Sequence, residues 1–118
     1  MNGAVEIKSK KFAVRIIDLY KYLISEKKEY VMSRQILKSG TSIGANVKEG
    51  EFAQSTSDFI SKMSIALKEA GETEYWLELL YETDYITVAQ YDSLKSDCKE
   101  LIKLLTSIIK SAKSNNNC

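Results

Sequence analysis

Glu74 is the residue whose position most suggests chemistry. Stepping about 100° per residue around a helix places it between Leu67, Ala70, Leu77 and Tyr81, on a core-facing side. A carboxylate there must be paired or hydrogen-bonded, or it drifts toward its neutral form. The expected partners are a tyrosine hydroxyl or the amide of Asn46. A buried contact that fixes register accounts for Glu74 better than catalysis does, because the sequence has no histidine. That removes the commonest general base, proton shuttle and metal ligand. Ser–His and Cys–His nucleophile pairs, zinc sites of the usual Cys/His spacing and the Glu-x-x-His pairs of di-iron bundles go with it. The glycines at 40, 44 and 50 fall within a helical repeat and not after a strand, so they make no phosphate loop. No catalytic residue, metal site, cofactor or small-molecule substrate is expected.

The other polar residues suggest surfaces. Ser39, Ser42, Asn46 and Glu49 form a line at helical spacing beside an apolar stripe. It reads as a flank that hydrogen-bonds to a neighbouring helix, or more sharply as a recognition surface. Lys8, Lys10, Lys11 and Arg15 cluster near the N-terminus, and Lys95, Lys99, Lys103 and Lys110 track one side of the last helix. If the two faces adjoin, Lys8, Lys11, Arg15, Lys95, Lys99 and Lys103 could follow a phosphate backbone. Asp92 and Glu100 nearby favour an ordinary solvated face. Ile65 and Trp76, with Glu69 between them, project away from the main apolar seam of their helix. Such an edge suggests an interface between copies.

Four amphipathic helices must position these groups. The first spans about Val5 to Glu26, with Phe12, Ile16, Leu19 and Leu23 spaced by 4, 3 and 4. Residues Lys27 to Tyr30 form the turn. The second starts at Ser33, read as its cap, with Met32 and Leu37 as a hydrophobic staple. Its stripe of Ile36, Gly40, Ile43, Val47 and Gly50 is rich in small residues, which calls for close approach of a neighbour. The third opens on a Ser55/Asp58 capping box and carries Phe59, Met63, Ala66, Ala70, Thr73, Leu77 and Leu80 to an end near Thr83. The fourth opens on Thr87 and Gln90 and carries Tyr91, Leu94, Cys98, Leu101, Leu105 and Ile108. The expected architecture is an all-α, antiparallel up-down-up-down four-helix bundle over residues 1–113, with a disordered polar tail over 114–118.

Bulk properties agree. The 118 residues suffice for one domain, and 44% are hydrophobic. Proline is absent and glycine numbers five, which disfavours turn-rich β folds. Seventeen basic and 16 acidic residues give a net charge of +1, so any nucleic-acid or membrane binding must come from a local patch. Cys98 reads as a small buried hydrophobe and Cys118 as the end of a frayed tail, too few for a disulfide framework. No apolar run approaches a membrane span and the basic N-terminus lacks a signal-peptide core, so a cytoplasmic location is expected.

One run is specific. Ser42-Ile43-Gly44-Ala45-Asn46-Val47-Lys48-Glu49-Gly50 resembles the S-I-P-A-N-I-A-E-G signature of a bacterial four-helix-bundle family. The family is known from intervening sequences of large-subunit (23S) ribosomal RNA genes. Arg34 corresponds to its upstream arginine, Ser57 to Ile60 resemble its start of helix three, and Ala66 to Leu80 resemble the stretch that carries a glutamate at Glu74. Gly44 stands where the family usually has proline; both residues weaken a helix there. The resemblance implies a bundle fold, no enzymatic activity, and ring-like pentamers. It also implies a distant likeness to the nucleic-acid-binding accessory protein of diversity-generating retroelements. Asn46, Glu49 and Glu74 match motif positions without thereby gaining a role.

Two functions are therefore expected. The first is a non-enzymatic bundle that forms homo-oligomers and binds RNA or a nucleoprotein partner. The second is a protein-interaction or assembly module with no nucleic-acid role.

Overall fold

Apolar side chains at alternating spacings of three and four residues can be buried only if each helix turns one stripe inward. In the computed structural model, which describes residues 3–116, four helices do this: α1 (Ala4–Ser25), α2 (Met32–Glu51), α3 (Thr56–Glu82) and α4 (Val88–Asn116). Among the described residues there is no strand. The helices form an antiparallel bundle 51 Å long and about 20 Å across. Each packs on its sequence neighbours, and α1 and α4 close the square more loosely.

The stripes are those expected. Phe12, Ile16 and Leu23 of α1, Ile36, Ile43 and Val47 of α2, Met63, Leu77 and Leu80 of α3, and Leu101 and Leu105 of α4 are fully buried. Small residues let the helices approach. A Cβ on Gly40 would lie 2.8 Å from two carbons of the Ile16 side chain, and one on Gly44 would lie 3.3 Å from the Ser9 carbonyl oxygen. In α4 the seam drifts: Ile109 is buried while Ile108 is half-buried. A straight helix of 3.6 residues per turn slips against a strict seven-residue repeat, and the slip has accumulated by the last turns.

Two of the three predicted caps are in place. The Ser55 hydroxyl accepts the Asp58 amide at 3.0 Å. Thr87 and Gln90 exchange reciprocal bonds at 2.8 and 3.1 Å. Ser33 does not cap α2. It lies buried inside the helix, and its hydroxyl has no hydrogen-bond partner among the described residues. The cap is the buried Glu29 carboxylate, which accepts the amides of Ser33 (2.7 Å), Met32 (3.1 Å) and Val31 (3.2 Å). Where a disordered tail is expected from Ser114, α4 continues to Asn116; residues 117–118 lie outside the described residues.

Candidate functional site

The α2 polar flank faces α3, which positions its residues one by one. Ser39 is buried, and its hydroxyl meets that of Thr73 at 2.8 Å. Glu49 pairs with Lys62 across the same interface at 3.3 Å. Ser42 and Asn46 bond to carbonyls of their own helix, at Lys38 and Ser42. Ser39 and Glu49 thus make interhelical contacts, while Ser42 and Asn46 bond within α2. Arg34 stands exposed on the outer side of α2, with no ion pair among the described residues.

Glu74 is half-buried and turned to the other flank of α3. Its Oε2 lies 3.0 Å from the Lys99 Nζ on α4. The expected partners, a tyrosine hydroxyl or Asn46, are not used. Thr73 and Lys62 occupy the side of α3 that faces α2, and the next residue after Thr73 is carried about 100° further round, toward α4.

The two basic faces do adjoin, but acidic residues of α4 interleave with them. Lys8 pairs with Glu100 at 2.9 Å. Arg15 donates to Asp97 at 2.6 Å and to the Ser93 hydroxyl at 2.9 Å. Lys99 is held by Glu74. Lys95 sits 5.2 Å above the Tyr91 ring, and its pKa is raised, chiefly by its hydrogen bond to Tyr91. Tyr91 in turn stacks on Tyr81 at 4.6 Å. Of the six expected phosphate-binding residues, Lys11 and Lys103 alone are exposed without a charged or aromatic partner among the described residues. The continuous positive stripe is therefore largely neutralised within the chain.

The Ile65/Trp76 edge is half as expected. Ile65 is 40% exposed, but Trp76 is half-buried against the core rim, edge-on to the exposed Tyr75 at 5.3 Å. Sequence reasoning missed a stronger feature on α1, where Ile7 (55%), Val14 (53%) and Ile17 (37%) stand exposed on the face away from the core. With Lys10, Lys21 and Ile24 they form a second three-four repeat, Ile7-Lys10-Val14-Ile17-Lys21-Ile24. The signal is present in the sequence, but Ile17 and Ile24 directly follow Ile16 and Leu23 of the core stripe and read as its edge.

Beside this seam, Gly44 and Ala45 open a groove of about 400 Å³ between α1 and α2, lined also by Glu6, Lys10, Thr41 and Lys48. Both Glu6 carboxylate oxygens are buried there without a hydrogen-bond partner among the described residues. The hydroxyls that line it are turned to backbone: Ser9 donates to the Glu6 carbonyl at 3.3 Å and Thr41 to the Leu37 carbonyl at 2.7 Å, and among the described residues neither is hydrogen-bonded to a carboxylate or a lysine of the groove. Elsewhere, burial pushes the Cys98 thiol up to about 12 while its Sγ contacts the Ala70 carbonyl at 3.3 Å, so the sulfur stays neutral and inert. No three His, Cys, Asp or Glu side chains come together to hold a metal among the described residues, and no described helix is long and apolar enough to cross a membrane.

A four-helix bundle with internally paired charges and an unused apolar helix face belongs to the class of small helical modules defined by their surfaces. The 23S rRNA-intervening sequence protein family matches residues 2–107, and the chain belongs to that family. It is also similar to a protein of unknown function from the S23 ribosomal protein family of Bacteroides thetaiotaomicron VPI-5482, known from a crystal structure. The two share 64% identity and a TM-score of 0.90, over 91% of this chain and 99% of that one. No curated protein matches it.

Proposed function

We propose that this chain is a non-enzymatic, self-assembling helical module that works as a homo-oligomer in the cytoplasm. The observation that carries this reading is the second apolar repeat on α1. Isolated exposed apolar residues are ordinary, but a ladder at heptad spacing on a helix whose other face already fills the core is the pattern of a helix awaiting a partner. Light scattering on the purified chain tests it. A mass several times 13.4 kDa is expected, of the order of the ring-like pentamers that the family resemblance implies. A monomer at micromolar concentration would overturn it.

A second reading adds RNA or a nucleoprotein as partner. It is supported by the family's association with ribosomal RNA genes and by the exposed, unpaired cations Arg34, Lys11 and Lys103. The Lys8, Arg15 and Lys99 ion pairs weigh against a single-chain binding stripe. A gel shift with structured RNA over a salt series separates the two, because phosphate binding weakens steeply as salt rises.

A further inference from the structure

Three edges of the square are closed by tight contact. Between α1 and α2, Gly40 admits Ile16 and Gly44 admits the Ser9 backbone. Between α2 and α3, Gly50 lies against Met63, and the Ser39 and Thr73 hydroxyls meet at 2.8 Å. Between α3 and α4, Cys98 meets the Ala70 carbonyl at 3.3 Å and Tyr91 stacks on Tyr81. The fourth edge differs. α1 and α4 touch least of the neighbouring helices. Among the described residues, every hydrogen bond and ion pair between them comes from Lys8 or Arg15: Lys8 to Glu100, and Arg15 to Asp97 and to the hydroxyl and carbonyl of Ser93. Both ion pairs stand about half exposed to water. We infer that this edge is a salt-sensitive seam, latched by Arg15, along which the bundle opens before it unfolds.

The packing on either side of the latch agrees. Beyond Arg15, toward the C-terminal end of α1, no hydrogen bond or ion pair joins α1 to α4 among the described residues. A groove of about 290 Å³ lies there, and Leu19 and Leu94 form part of its wall, with Arg15 at one end. Every buried apolar side chain of α2 and α3 is 0–1% exposed, whereas Leu19 keeps 6% and Leu94 keeps 5%. Water thus already reaches the core at this edge, and Leu19 and Leu94 are the core residues that opening uncovers first.

The balance of forces sets the condition for opening. Local opening favours places with few buried apolar contacts and solvent-exposed polar links. Ion pairs this exposed are weak, and salt weakens them further. The apolar contacts of the other three edges have no such dependence. Opening along α1–α4 therefore becomes easier as ionic strength rises, while separation of α2 from α3 does not.

Thiol labelling of the full chain tests this. In a Cys98→Ala, Cys118→Ser background, Leu94→Cys reports on the seam and Ile43→Cys, fully buried on α2, reports on the opposite side of the core. N-ethylmaleimide is the probe, since an uncharged reagent approaches equally well at any salt concentration. Between about 0.05 and 1 M sodium chloride, labelling at position 94 should speed by about threefold to tenfold, the change expected from screening two exposed pairs. Labelling at position 43 should not. Arg15→Gln should speed labelling at position 94 at low salt by a similar factor and remove most of its salt response. Lys62→Gln, which breaks the Glu49 pair between α2 and α3, should do neither. Equal acceleration at both positions would mean global unfolding and would overturn the seam. Labelling at position 94 that ignores salt overturns the electrostatic closure, and an Arg15→Gln variant that labels like its parent overturns the latch. Should Leu94→Cys fail to fold by circular dichroism, Leu19→Cys on the facing wall of the groove makes the same comparison.

Discussion

Three backbone N–H groups at the start of α2 point at the Glu29 carboxylate, and no other side chain caps that end. Bonds donated by the free amides of a helix start to a charged acceptor are stronger than neutral ones and gain from the helix dipole. Glu29→Ala should lower unfolding stability by about 1–2 kcal/mol in urea titration, whereas Ser33→Ala, which removes a buried hydroxyl with no hydrogen-bond partner among the described residues, should cost little or raise it. Cys98 offers a second check at this scale. Its thiol rises from the ordinary 9.0 to about 12 in the fold. The folded state thus holds a proton that the unfolded chain gives up first. Its contribution is fully present below pH 9 and declines as the pH climbs toward 12. Wild type should therefore lose a few kcal/mol more than Cys98→Ala between those limits, read as the difference between two urea series so that tyrosines and lysines cancel.

The glycines decide how closely the helices pack. Gly40→Ala would drive a methyl into the β-branched Ile16, which has little freedom to move, and should destabilise by about 1–3 kcal/mol against a helix-propensity gain of about 1 kcal/mol. Gly71 has nothing within 4 Å of an added Cβ, so Gly71→Ala should raise the melting temperature. The pair distinguishes glycine kept for approach from glycine merely tolerated. Periodicity made the helices and their inward stripes legible in the sequence, because burial repeats with the helix turn. The Ser55 and Thr87 caps were legible because each acts within its own first turn. Glu29 was not, since it reaches in from the preceding turn and the more usual capping residue, Ser33, stood where a cap was sought. The partner of Glu74 was not legible either. A helical wheel fixes the angle of a side chain but not which neighbour lies on which flank, and that depends on the handedness of the bundle.

At the scale of the molecule, near-neutral charge hides an uneven distribution. Lys8, Arg15 and Lys99 are matched on the α1–α4 and α3–α4 faces, while Arg34 is left unmatched on the outer side of α2. The surface ion pairs contribute little to stability, about 0–1 kcal/mol each for partners this exposed. Their larger effect is to withdraw cations from any external ligand. In a homo-oligomer each copy would present its own exposed Arg34, so a weak single contact with a phosphate backbone would be multiplied. On the reading that RNA is a partner, binding is expected of the assembly more than of the single chain. Wild type should bind structured RNA at low ionic strength with a strong salt dependence. Arg34→Glu should abolish binding without changing the oligomer mass, and Val14→Arg, which places a charge in the exposed apolar repeat of α1, should lose it by weakening the oligomer. Charge reversal at Lys95 and Lys99, which already have partners within the chain, should leave it unchanged. If the Lys95 and Lys99 reversal abolishes binding while Arg34→Glu does not, the α4 face carries the RNA and the outer side of α2 does not. If no variant binds and wild type does not either, assembly alone remains as the function.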